Sequence, residues 1–283
     1  MSERLAEIEE RISSFEQLRA VISAMRGIAA ARSKEASMQM SSIQTYAASI
    51  GDAIGQALAL VPETDPRSVA DGVAGRSAVI LLAAEHGFAG NFSEQVFDAL
   101  ADRTDEDTEI FVAGSRGLAV AQGRGLQVRW SAPMITHPAQ AAALAARIAE
   151  AVFQLLAPGS MRTLSIIHAS PHGDADLSMA DRKLIPFDYS RFSVPSTGQV
   201  PLINIPADRL LTRLVDEYLF AEISEAIVLS LAAENRARVR AMIAAHANIS
   251  QSLTDLTGTE RRLRQEAITD EIIELVTQSL EPF

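Results

Sequence analysis

The chain has 283 residues, 48% of them hydrophobic and only 5% aromatic, with a formal net charge of -11 and no cysteine. That length can hold one large domain or two smaller ones, and a globular core built mainly from Ala, Leu and Ile suits long helices in close contact rather than an all-β sandwich. The acidic balance argues against nucleic acid as the main partner, since phosphate backbones are bound by clustered Lys and Arg, and the lack of cysteine excludes disulfides, thiolate metal sites and cysteine nucleophiles.

Ser2-Glu3-Arg4, followed by Glu7, Glu9 and Glu10, lacks the basic flank and apolar stretch of a secretory signal. From Ser2 to about Leu60 there is no proline, and Leu5, Ile8, Ile12, Phe15, Leu18, Ile22, Met25 and Ala29 recur every three or four residues, which predicts one long amphipathic helix. Pro62 to Gly75 then reads as an exposed connector. Next comes a strand over Ala78 to Leu82, a turn containing Gly87 and Gly90, and a helix through Phe92, Val96, Phe97 and Leu100. The longest apolar run, around Ala78 to Ala84, falls far short of the ~20 residues that span a bilayer, so a soluble chain able to dock on a membrane complex is expected.

The alternation continues with a strand over Glu109 to Ala113, a short helix after Gly114, a strand near Leu126 to Trp130 and a helix from Pro138 to Leu156. Thr163 to His168 and Arg182 to Phe187 add strand-like runs, giving an α/β layer domain with a largely parallel sheet. After Pro195, Pro201 and Pro206 the chain runs from Ala207 to Leu280 without proline, which as one helix would be on the order of 110 Å long. Met242, Ile249, Leu256 and Leu263 repeat every seven residues, as do Ile8, Phe15, Ile22 and Ala29 near the other end. The economical closure pairs the two helices antiparallel. The fold class is therefore α/β: a long antiparallel coiled coil, 1-60 with 207-283, plus a central Rossmann-like α/β domain over 76-190.

Four stretches carry a family resemblance. Val21-Ile22-Ser23-Ala24-Met25-Arg26-Gly27-Ile28-Ala29-Ala30-Ala31-Arg32 resembles the F-type ATPase gamma-subunit pattern of Ile-Thr-Lys-Ala-Met, a run of small residues and a base. Arg264-Gln265-Glu266-Ala267-Ile268-Thr269-Asp270-Glu271-Ile272-Ile273-Glu274-Leu275-Val276 is similar to the family's Arg-Gln-Ala-x-Ile-Thr-Gln-Glu-Leu-x-Glu-Ile-Val. Ala84 to Asn91 stands where the family has Ser-Asp-Arg-Gly-Leu-Cys-Gly-Gly, keeping Gly87 and Gly90, and Tyr218 to Met242 resembles the family helix that ends in an acidic, basic and Ala-Met cluster. Departures fall at Ser23, Arg26, Gly27 and Asp270, as in a divergent branch or one serving an alternate ATPase.

The resemblance implies a non-catalytic central-stalk subunit with no cofactor and no metal of its own. Its helix pair would stand inside a ring of alpha and beta subunits, and its globular part would meet the epsilon subunit and the membrane c-ring. It would sit peripherally on the cytoplasmic side of the inner (plasma) membrane. Met25, Arg26, Arg32, Arg264, Gln265, Thr269 and Glu271 are the implied ring contacts.

Plainer readings stand beside these. Met25 shares a stripe with Leu18 and Ile22 and suits a helix core equally well; Arg264 and Gln265 with Arg261 and Arg262 suit a solvated face. His168, His172, Asp174 and Asp176 could be imagined as a metal site, but Pro171 and Gly173 mark a hairpin loop. Gly114-Ser115-Arg116-Gly117 and Gly123-Arg124-Gly125 lack phosphate-loop spacing and read as helix caps and turns. Gly27 and Gly258, inside helices, suggest close approach of another backbone. Two rival functions remain: an enzyme binding a nucleotide or small acid around Glu85 to Asn91, and a freestanding coiled-coil scaffold.

Overall fold

A computed structural model describes residues 2–61, 75–100, 108–155, 161–172, 176–194 and 202–279. The elements follow in the order α1 (Ser2–Leu58), β1 (Arg76–Leu82), α2 (Phe92–Asp98), β2 (Thr108–Ala113), α3 (Ser115–Gly123), β3 (Val128–Ala132), α4 (Ala141–Leu155), β4 (Met161–His172), β5 (Asp176–Ile185) and α5 (Ala207–Ser279). Short 3-10 turns at Pro138–Gln140 and Tyr189–Arg191 precede α4 and follow β5. The fold is the mixed α/β arrangement expected, with long terminal helices and a central sheet. The chain divides into two compact units, one made of Met1–Ala29 with Val239–Phe283 and the other of Ala30–Arg238.

In the first unit the helix segments run antiparallel, because Ile22 meets Met242, Ile249 and Leu253 while Glu9 pairs with Arg264. Ile12, Phe15 and Met25 pack partly against the same cluster. Both heptad rows therefore face inward: Ile22, Ala29, Met242 and Ile249 are buried, and Ile8, Phe15, Leu256 and Leu263 are half-buried. Each fully covered side chain of this size contributes about 1.5–3 kcal/mol. Their spacing of seven is what keeps one narrow seam in register along both helices.

The second unit is built on a five-stranded sheet of order β3-β2-β1-β4-β5. β1 lies centrally, parallel to β2 and β4, and β2 is parallel to β3, so both faces are covered by helices and β1 is apolar and buried from Ala78 to Leu82. Ile80, Leu82, Phe111, Leu164 and Ile166 meet α4 and the Ile223–Ala226–Ile227–Leu231 face of α5; Val79, Leu81, Ile110, Val112 and Ile167 meet α2 and α3. β5 is the one antiparallel member among the described residues, pairing with β4 from His172↔Asp176 to Leu164↔Ile185. It begins six residues earlier than the Arg182 start predicted and stops before Pro186. Phe187 instead joins a cluster with Tyr189, Phe192 and Tyr218, ring centroids 5.0–5.8 Å apart, that lies against Ile50, Ile54 and Leu211.

Gly114 and Gly117 show why the β2–α3 turn is glycine-rich. Gly114 caps α3 with φ 117°, a left-handed conformation, and its amide donates to the carbonyl of Ala132 at 2.8 Å. Gly117 lies so close to β1 that an added Cβ would sit 2.2 Å from the Cβ of Ala83. Gly117→Ala should therefore destabilise the protein by about 1–3 kcal/mol in urea unfolding, and Ala83→Gly in the same chain should restore most of that loss. A Gly117→Ala protein as stable as the parent would show that α3 is not seated on β1 at this point.

Candidate partner-binding surface

Six of the seven candidate contacts lie in the helix-pair unit, Met25 and Arg26 on α1 and Arg264, Gln265, Thr269 and Glu271 on α5; Arg32, half-buried, belongs to the sheet unit. Met25 is half-buried against the Ile22 and Met242 cluster, so much of its surface serves the seam. Arg26, about 100° further round the helix, is exposed. Gln265, Thr269 and Glu271 are exposed too.

Arg264 is held within the chain. Its Nη2 donates to Glu260 Oε1, one turn earlier on α5, at 2.6 Å, and to Glu9 Oε1 on α1 at 2.9 Å. Thr269 Oγ1 donates to the carbonyl of Gln265 at 2.9 Å. Thr254, Thr257 and Thr259 do likewise to Ser250, Leu253 and Asp255 at 2.8–3.0 Å, so the hydroxyl hydrogens along this stretch point down their own helix. A Cβ added at Gly27 or Gly258 would meet no heavy atom within 4 Å, so no described residue supplies the close backbone suggested for them.

Apolar side chains outside the seam are exposed, and Leu18, which the sequence placed on the inward stripe with Ile22 and Met25, is one of them. Leu18, Val21 and Ile28 on α1 are 47–56% exposed, as are Ile243, Ile268, Ile272 and Leu275 on α5 at 51–61%. Leu18, Val21 and Ile28, and then Ile268, Ile272 and Leu275 at spacings of four and three, run beside the seven-residue row rather than within it.

The rival ligand loop in the sheet unit is occupied by its own structure. Glu85 accepts hydrogen bonds from Ser115 N at 3.0 Å, Ser115 Oγ at 2.7 Å and Met134 N at 2.7 Å. Burial pushes its pKa up, but these donors outweigh that and hold the carboxyl below its usual range. Arg238, buried on α5, donates to the carbonyls of His86 and Gly87 at 3.3 Å each while paired with Glu234, whose own carboxyl burial pushes up. Glu85 and the loop carbonyls are thus tied into the fold rather than presented to a ligand.

His168 lies on β4, 1% exposed, opposite Ala180 on β5. Its Nδ1 lies 3.3 Å from the carbonyl of Ala169, which makes Nδ1 the protonated nitrogen. Burial lowers its pKa from 6.5 to about 4. Of the other imagined ligands, Asp174 falls outside the described residues, and His172 and Asp176 close the β4–β5 ladder as a backbone pair. No group of three or more metal-ligating side chains occurs among the described residues. Nor is any described helix long and apolar enough to cross a membrane.

A family model described as ATP synthase matches residues 4–279. The ATP synthase gamma chain of Frankia casuarinae is 25% identical over 288 residues, covering 98% of this chain and 97% of that one. That of Streptomyces coelicolor is 26% identical over 291 residues, covering 98% and 95%. Among solved structures, a chain in the rotor of the Euglena gracilis mitochondrial ATP synthase superposes with a TM-score of 0.68 at 16% identity, over 95% of this chain and 100% of that one. One from the central stalk and c-ring of the Tetrahymena thermophila enzyme gives 0.58 at 15%, over 80% and 99%. The structural likenesses extend the shared fold to both long helices and the sheet.

The buried imidazole gives a pH test of the site's packing. Between pH 6.5 and about 4 the unfolded chain binds a proton at His168 that the folded chain does not, so stability falls as pH falls through that window. Over the same range wild type should lose on the order of 3 kcal/mol more than His168→Gln in urea unfolding. Identical pH slopes would place this imidazole in water.

Proposed function

This chain belongs to the ATP synthase gamma-chain family, and we propose that it is the rotor shaft of an F-type ATPase, coupling ion flow through a membrane c-ring to ATP synthesis or hydrolysis. The observation that carries this reading is that one family model takes in α1, the sheet and α5 in a single match over residues 4–279. Its partners are then the alpha and beta subunits, the epsilon subunit and the c-ring. It is a non-catalytic subunit, contributing no side chain to the ATP chemistry, and it works beside a proton- or sodium-carrying rotor on the cytoplasmic side of the membrane.

Segments 1-60 and 207-283 serve as the shaft and 76-190 as the part that meets epsilon and the c-ring. A shaft must be stiff and must differ around its axis, so that each orientation favours a different conformation of its surroundings. The antiparallel seam supports the first requirement. The second is served by Met25, Arg26, Arg32, Arg264, Gln265, Thr269 and Glu271, which we assign to ring contact, together with the exposed apolar rows beside them.

Co-expression with the alpha and beta subunits of its own host, followed by affinity purification, tests the reading directly. A complex of three alpha, three beta and one copy of this chain should form and hydrolyse ATP faster than the same mixture without it; no complex would sink the proposal. Within such a complex Arg26→Glu should slow association and flatten its dependence on salt, as reversal of a rim charge does, by roughly tenfold in rate at low ionic strength. An unchanged rate would remove Arg26 from the contact set.

A further inference from the structure

We propose that Glu9, on the N-terminal helix, is a regulatory competitor for the Arg264 guanidinium, so that a ring carboxylate engages Arg264 only by displacing a carboxylate of this chain. This rests on the shaft reading given above. A guanidinium has two edges that can grip a carboxylate with two parallel hydrogen bonds, the Nη1–Nη2 edge and the Nε–Nη2 edge, and both include Nη2. In this protein the two hydrogens of Nη2 are taken, one by Glu260 Oε1 at 2.6 Å and one by Glu9 Oε1 at 2.9 Å. Neither two-point edge is therefore open while the clasp is closed. An incoming carboxylate reaches Nη1 or Nε singly, or replaces one of the two residents.

Glu9 is the resident that can leave. It is 49% exposed at the side chain and belongs to the other helix, whereas Glu260 is 18% exposed and tied one turn away on the same helix as Arg264. Departure of Glu9 breaks only an exposed ion pair across the helix pair, an interaction small enough to be exchanged at each step of a rotation. The N-terminal turns of α1 thus set how tightly Arg264 holds its surroundings, through a single carboxylate 255 positions away in sequence.

The test is the dissociation rate of the purified complex with host alpha and beta subunits, measured at low salt for wild type, Glu9→Gln, Arg264→Gln and the double variant. Helix content by circular dichroism accompanies each. Glu9→Gln should slow dissociation roughly two- to fivefold, the worth of one exposed ion pair, and the gain should vanish in the Arg264→Gln background and at high salt. Glu260→Gln is the second variant and should act in the same direction. Dissociation unchanged or faster in both single carboxylate variants, or a Glu9→Gln gain that persists without Arg264, overturns the clasp while leaving the shaft intact. Failure of wild type to assemble at all overturns the shaft reading and the clasp with it.

Discussion

A 73-residue helix does not persist on backbone hydrogen bonds alone, because water competes for exposed carbonyls and propensities differ by only tenths of a kcal/mol per residue. What α5 needs is cover, along a narrow apolar row in the helix-pair unit and around nearly its whole circumference from Ala221 to Asn235 in the sheet unit. In the helix-pair unit the cover comes from Ile12, Phe15, Ile22 and Met25 of α1. In the sheet unit it comes from β1, β4 and α4 on Ile223, Ala226 and Ile227, and from Ile50 and Ile54 of α1 on Leu211. Ser33 Oγ reaching the carbonyl of Ala232, and Ser230 Oγ reaching that of Leu82, fix this packing with hydrogen bonds between elements distant in sequence.

The periodic parts of this arrangement were legible in the sequence, since seven-residue and alternating spacings report directly on which face meets a neighbour. The heptad rows ending at Ala29 and beginning at Met242 turn inward as read, and β1, β2 and β4 lie where their apolar runs placed them. Less legible was β5, whose first half offers only the half-buried Leu177 and Met179, alternating with an exposed Ser178, as an edge strand does. Phe187 misled because an aromatic after a strand-like run can serve a side cluster as readily as a sheet.

The candidate surface was legible only in its residues, not in its connections. Composition and motif marked Arg264, and Glu260 lies one turn before it on the same helix, but Glu9 reaches it only through helix pairing, and nothing in a linear pattern joins position 264 to position 9. The same applies to Glu85, whose three donors come from Ser115 and Met134, and to Arg238, which reaches back to His86 and Gly87. Polar side chains acquire their partners from tertiary structure, and short sequence spacing carries no record of it.

The threonines of the second half of α5 bear on what a turning helix offers its surroundings. A hydroxyl has one hydrogen, and at Thr254, Thr257, Thr259 and Thr269 it is already donated to the carbonyl four residues earlier. Such a group can still accept from water or from a neighbour, but it has no proton to offer, and directional bonds to surrounding acceptors are thereby withheld. Along this stretch the exposed threonines offer acceptors only, and hydrogens for a neighbouring surface come instead from side chains such as Arg261, Arg262 and Gln265.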